Sequence, residues 1–317
     1  MSLEADAIAA RRTLRRKVTF WRVAAIAIFS GAILALALSA GGQTGTYHDH
    51  IARIRIDGLI TGDEKTLKLI QQVEQQDHAV AVVVRINSPG GTTVGSEALY
   101  ESLAKLAEKK PVVAVMDTVA ASGGYIVALP AHRIFARGNT ITGSIGVIFS
   151  WPEMSKLLDM VGVKMEEVKS GELKAAPSPY APMTPKTRDV TAAMVADSFQ
   201  WFTGLVAERR KMTQTRVLEL SDGRVYTGRQ ALAAGLIDEL GGEDQALAWL
   251  ETAKNIKLGS QVIEYKPERP SLRDGLGVSV LRGILGWAGL EALATPIEKV
   301  LSSERLSLDG MQSVWHP

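Results

Sequence analysis

Apolar residues in this chain fall into short unbroken runs and helically spaced stripes, and the two kinds alternate. Val80–Ile86 is almost wholly apolar, as expected of a strand buried on both faces of a parallel sheet. Val112–Met116 is a second such run, and Ile51–Ile56 reads as a first strand closed by a turn at Asp57-Gly58. Thr66–Gln76 places Leu67, Leu69, Ile70 and Val73 at helical intervals. Thr93–Lys109 does the same with Val94, Ala98, Leu99, Leu103 and Leu106, and stops before Pro111, which cannot continue a helix. Met154–Val161, Thr187–Met212 and Gly228–Ala234 are expected helices, with Val190, Met194, Trp201 and Leu205 as core positions of the long one. Strands alternating with amphipathic helices predict an α/β fold with right-handed crossovers. Sites in such sheets form at the carboxyl ends of the strands.

One stretch breaks the alternation. Val23–Ala40 carries no charge, and Arg11, Arg12, Arg15, Arg16, Lys17 and Arg22 precede it. As a helix at about 1.5 Å per residue it would span roughly 27 Å, close to the hydrocarbon thickness of a bilayer. The pattern predicts a cytoplasmic basic segment over 1–22 and a single-pass transmembrane anchor over 23–40, with the remainder outside the cytoplasm. Ala35-Leu36-Ala37 and Leu38-Ser39-Ala40 resemble signal cleavage sites, but the apolar run exceeds the usual signal length of about 7–15 residues. A linker over 41–50, a folded domain over 51–254 and a tail over 255–317 complete the expected organisation. His48-Asp49-His50 lacks further ligands at metal-binding spacing, so it reads as solvated linker. In the tail, Leu276, Val280, Ile284, Trp287 and Leu290 are helically spaced but interrupted by glycines, which suits a packing or oligomer contact.

Composition narrows the function classes. In 317 residues, 46% are hydrophobic and 22% charged, enough for one sizeable core. The formal charge is +2, and outside the N-terminus the cations form no cluster, which argues against a nucleic-acid partner. With no cysteine, disulfides, thiolate metal sites and a cysteine nucleophile are excluded. No motif calls for a metal or a cofactor.

The candidate chemistry lies after the apolar runs. Ser122 follows Val112–Met116 in Val119-Ala-Ala-Ser122-Gly-Gly-Tyr125, and its small neighbours are expected to leave the hydroxyl uncovered. Val80–Ile86 runs into Asn87-Ser-Pro-Gly-Gly91, read as a second glycine-rich turn. Two such turns could aim backbone N–H groups at one point, as stabilising an oxyanion requires. The N–H of Gly123, next after the serine, is a natural donor. No familiar triad surrounds Ser122. His132 lies beyond a short expected helix, roughly 15 Å away by helical rise, and reads as structural. Lys174, in Lys169-Ser-Gly-Glu-Leu-Lys174, makes a Ser–Lys dyad the leading reading. A lysine amine accepts a proton only when neutral, against a reference pKa of about 10.4, so a base needs surroundings that disfavour the charge. Leu173 and Ala175-Ala176-Pro177 flank it with apolar residues.

Asn87–Gly91, Ala121–Tyr125, Thr142-Gly-Ser-Ile-Gly-Val147, Lys169–Lys174 and Gly223-Arg-Val-Tyr-Thr-Gly228 stand in one order. That order resembles the bacterial signal peptide peptidase A family in its short, single-repeat form, from about Ile51 to Leu250. The resemblance implies the fold shared by the caseinolytic protease subunit and crotonase, with Ser122 as nucleophile and Lys174 as general base. It further implies Gly91 as an oxyanion donor and Ser144 as the residue orienting the lysine. Arg224 and Tyr226, in the last motif, have no obvious chemical task and read as architectural. Apolar remnant signal peptides are the implied substrates, at the periplasmic face of the bacterial inner membrane. A single-repeat chain would complete its site in a ring-like homo-oligomer. A regulatory protease of membrane proteins and a crotonase-like acyl-CoA enzyme are the rival readings.

Overall fold

The computed structural model describes residues 15–23, 48–256, 261–267 and 311–314. The expected anchor beyond Val23 and the helical spacing in Gly275–Val300 lie outside the described residues. Residues 15–23 are helical, and among the described residues no helix is long and apolar enough to cross a membrane. From Asp49 onward the described chain forms one compact unit.

Its centre is a mixed α/β sheet. The strands are β1 (His50–Ile60), β2 (Ala79–Thr92), β3 (Val112–Ala121), β4 (Arg133–Ala136), β5 (Ile141–Gly143), β6 (Ile148–Phe149), β7 (Val225–Thr227), β8 (Glu239–Leu240), β9 (Gln261–Tyr265) and β10 (Met311–Val314). β1 pairs with β2, β2 with β3, β3 with β4, and β4 with β8, all in parallel. Helices α1 (Glu64–Gln75), α2 (Thr93–Lys109) and α3 (Gly123–Ala128) supply the first connections. They are followed by α4 (Ser155–Met160), α5 (Pro185–Arg210), α6 (Gln214–Glu219), α7 (Gly228–Ala234) and α8 (Glu243–Lys254).

The apolar runs are buried on both faces because successive strand side chains point in opposite directions. Val82, Val84 and Ile86 pack with Val112, Ala114 and Met116 beneath Leu99, Leu103 and Leu106 of α2. Ala81, Val83, Val113 and Val115 turn the other way and meet Ala246 and Leu250 of α8. Burying each large side chain contributes about 1.5–3 kcal/mol. Local chemistry fixes where the helices start. Asp63 accepts from the Thr66 N–H at 3.0 Å, and Thr92 accepts from the Gly95 N–H at 3.0 Å, each satisfying an otherwise unpaired first-turn donor.

Several expectations need correction. β1 and β2 do not end in turns at Asp57-Gly58 and Asn87–Gly91; both continue as paired strand, with Leu59 opposite Gly90 and Ile60 opposite Gly91. Register shifts between Asp57 and Leu59, and between Ile86 and Ser88, absorb the irregular residues. His50 is not solvated. It is buried at the start of β1, and its Nε2 lies 2.8 Å from the Tyr265 hydroxyl. In α5 the core side chains are Phe202 and Val206, with Trp201 and Leu205 packed partly against them, while Val190 and Met194 are exposed. A helix of 26 residues is about 39 Å long, and only its second half lies over the sheet core.

Candidate active site

Ser122 sits where β3 hands over to α3, and its backbone is bent sharply to make that passage. Its φ of 55° and ψ of −116° lie in a region that side chains rarely adopt, at a cost of about 1–3 kcal/mol. Both peptide faces hold it there. The Ser122 N–H donates to the Gly143 carbonyl at 2.8 Å, and its own carbonyl accepts from the Tyr125 and Ile126 N–H groups at 2.9 and 3.0 Å. A serine on a tight strand-to-helix turn is a recurrent arrangement for presenting a nucleophile above a sheet. The hydroxyl was expected to be uncovered, yet the residue is only 1% exposed, because its turn lies between the end of β5 and the first turn of α3.

The glycines after Ser122 have a spatial reason. A Cβ on Gly124 would come 2.6 Å from the Ser88 carbonyl oxygen, so α3 starts in direct backbone contact with β2. This contact brings the Ser88–Gly91 end of β2 beside the Ser122-Gly123 turn. Ser88 itself is buried, and its Oγ accepts from the Gly90 N–H at 3.0 Å. Below the turn, the fully buried Tyr125 donates its hydroxyl to the Leu236 carbonyl at 2.8 Å. Burial raises the Tyr125 pKa, so the phenol remains a donor.

Ser144 joins the same corner through its neighbour. Gly143 (φ 80°) and Ser144 (φ 49°) are consecutive left-handed residues, and the Ser144 N–H donates to the Arg224 carbonyl at 2.8 Å. β5 pairs with the end of β3 on one side and with β7 on the other, Gly143 lying opposite Val225. Thr142 Oγ1 donates to the Ala120 carbonyl at 2.7 Å, a second tie between β5 and β3.

The structure therefore gathers Ser122, Gly123, Ser144 and the strand end bearing Gly91. Lys174 does not belong to that buried cluster: it lies between α4 and α5, outside regular structure, and is exposed in the single chain. Its N–H donates to the Gly171 carbonyl at 3.0 Å. His132 has a structural task. Its Nδ1 accepts from the Val112 N–H at 3.1 Å, its own N–H donates to the Val112 carbonyl, and desolvation lowers its pKa.

Two features escaped the sequence reading. β10 lies antiparallel along Gly90–Thr92 of β2 and along Ile148–Phe149 of β6. It fills the place that β3 leaves after Ser88 pairs with Ala120. Tyr226, across from Thr142, covers Gly143: a Cβ there would be 2.5 Å from the tyrosine Cδ2. No pattern in the sequence marks either pairing, since both join residues far apart in the chain.

Comparison with known proteins decides the family. The model of peptidase family S49 matches residues 104–257, a span containing Ser122, Ser144 and Lys174. A Synechocystis protein named as a protease is 41% identical over 204 residues, covering 64% of this chain and 73% of that protein. An Enterococcus faecium protein named as a signal peptide peptidase is 31% identical over 275 residues, covering 82% and 78%. A chloroplast serine protease of Arabidopsis thaliana is 34% identical over 312 residues, 84% of this chain but 46% of that protein.

The chain belongs to peptidase family S49. It is a serine peptidase on a mixed α/β sheet.

Proposed function

We propose that the protein is a membrane-anchored, extracytoplasmic endopeptidase that degrades remnant signal peptides with Ser122 as nucleophile and Lys174 as general base. The observation that carries this reading is the strained backbone at Ser122, held from both sides beside the end of β2. Strain of that kind persists only where surrounding structure imposes it, and it clusters at reactive positions. In the proposed reaction Lys174 takes the Ser122 proton as Oγ attacks the peptide carbonyl. The N–H groups of Gly91 and Gly123 stabilise the oxyanion, Ser144 orients the amine, and the proton then passes to the leaving nitrogen.

A peptide substrate is supported by β10. A short stretch of this chain lies extended against Gly90–Thr92, the kind of backbone pairing by which an extended substrate would be held through strand addition. The apolar run over 23–40 supports a membrane anchor, which would confine the site to the surface where signal peptides remain. The name of the Enterococcus relative points to the same substrates.

A ring-like homo-oligomer is part of the proposal, on the family's crotonase-like fold. Lys174 is exposed on its own chain, and the segment before it carries exposed Leu157, Met160, Val161, Val163, Met165 and Val168. Exposed apolar side chains in such a row are what a neighbouring copy would cover.

A fluorophosphonate probe tests the nucleophile: it should label the native protein and leave Ser122→Ala unlabelled. The native enzyme should cleave synthetic signal peptides faster than polar peptides of equal length. Equal labelling of Ser122→Ala would overturn the assignment, and equal cleavage of both peptide classes would overturn the substrate.

A further inference from the structure

We infer that Tyr226 is a positioning residue for the active site, acting through the Gly143-Ser144 pair rather than by touching substrate. The inference rests on the serine peptidase reading given above.

The geometry forms a continuous chain from the aromatic ring to the nucleophile. The Tyr226 ring lies against the Cα of Gly143, with Cδ2 and Cε2 at 2.5 and 3.1 Å from where a Cβ would stand. Its hydroxyl donates to the Leu220 carbonyl at 3.1 Å, which fixes the ring at its far end. β7 holds the residues on either side of the ring against β5. Gly143 in turn receives the Ser122 N–H through its carbonyl, and Ser144 donates its N–H to Arg224, two residues before Tyr226.

Gly143 adopts its positive φ freely, but Ser144 at φ 49° is in a costly state for a residue with a side chain and does not hold it unaided. The ring sits on the one face where Gly143 has no side chain. It therefore prevents the Gly143-Ser144 peptide from relaxing toward β7. Such relaxation would move the acceptor of the Ser122 N–H and the Ser144 hydroxyl together. Tyr226 thereby couples the turn at Ser122 to Ser144, the residue proposed to orient the lysine. No substrate contact is required of it.

The test is Tyr226→Leu and Tyr226→Phe in the full-length protein, with Leu250→Ala as a stability control. Leu250 packs against the opposite face of the sheet and has no link to this corner. Tyr226→Leu should lower kcat about 10- to 100-fold, the effect of small misplacement at a reacting centre, while KM changes little. It should also slow fluorophosphonate labelling of the folded protein. Tyr226→Phe keeps the ring and should retain kcat to within about threefold, since one neutral hydrogen bond is lost. Leu250→Ala should lower the Tm at least as much with no loss of kcat at a temperature where it is folded. If Tyr226→Leu does not fold, Tyr226→Met carries the same reading. Folded Tyr226→Leu or Tyr226→Met with wild-type kcat and labelling rate would overturn the inference. The Ser122→Ala variant separates the two failures: its inactivity with normal Tyr226 variants refutes only the positioning role, whereas its full activity refutes the nucleophile itself.

Discussion

The N–H of Ser122 is bound to the carbonyl of Gly143 at 2.8 Å, so the amide of the proposed nucleophile is spent on holding its own turn. The Gly123 N–H, next along the chain in the first turn of α3, is then a backbone donor that the helix itself leaves unpaired. This suits the proposed role of Gly123, and in the proposed reaction it makes the shape of the turn matter alongside the serine hydroxyl.

That bond and the positive φ of Ser122 set function against stability. Ser122→Ala should abolish peptide hydrolysis while folding normally. Ser122→Gly should be equally inactive but more stable than Ser122→Ala by about 1 kcal/mol, because glycine adopts this conformation without the side-chain penalty. Thermal melts of the two variants, compared under one condition, check the difference. A glycine variant no more stable than the alanine variant would remove strain from the account.

Gly124 offers a sharper geometric test. An added methyl would stand 2.6 Å from the Ser88 carbonyl, a backbone atom that cannot swing away as a side chain could. Gly124→Ala should therefore separate α3 from β2, lowering kcat about 100-fold and stability by about 1–3 kcal/mol. Steady-state kinetics beside urea titration would reveal either effect, and native values for both would mean the contact yields freely.

Much of this architecture was legible in the chain itself. The bounds of α2 and α7 follow from their apolar spacing, and Val80–Ile86 reads as the doubly buried strand it is. The glycine-rich stretch after Ile86 misleads, because glycine and proline normally punctuate elements. Here register shifts let β1 and β2 run on together. The α5 stripe misleads for another reason: periodicity shows which face is apolar but not how far the neighbouring sheet extends. Ser122 was readable as a serine between small residues, whereas its backbone strain and burial were not. Both arise from Gly143 and from α3 closing on it. The partnership of Tyr226 with Gly143 and that of β10 with β2 join distant segments, so no local pattern could announce them.

His132 makes stability depend on pH. Burial and the nearby Lys254 and Arg209 cations lower its pKa from the usual value, burial being the largest cause. A group whose folded pKa is depressed keeps its full contribution above the unfolded value of about 6.5. As pH falls through that value the unfolded chain takes up the proton first, and stability drops until the folded value is passed. Urea midpoints should decline from pH 7.5 to 5.5, with a shallower slope in His132→Asn, whose Oδ1 stands at the position of the histidine Nδ1 that accepts from the Val112 N–H. An unchanged slope would remove His132 from the account.

The last prediction concerns which chain supplies the base. Ser122 is buried, whereas Lys174 is exposed on its own chain in a segment outside regular structure. A lysine serves as a base only where its surroundings disfavour the ammonium form, as a dry, apolar pocket does. A neighbouring copy that covers the exposed apolar row from Leu157 to Val168 would provide it, and would bring Lys174 to the Ser122 of that copy. Activity should then fall on dilution as subunits separate. Ser122→Ala and Lys174→Ala subunits, each inactive alone, should regain part of the activity when co-assembled, because some interfaces pair an intact Ser122 with an intact Lys174. Co-assembled mixtures that remain inactive at every ratio would instead assign both residues to one chain.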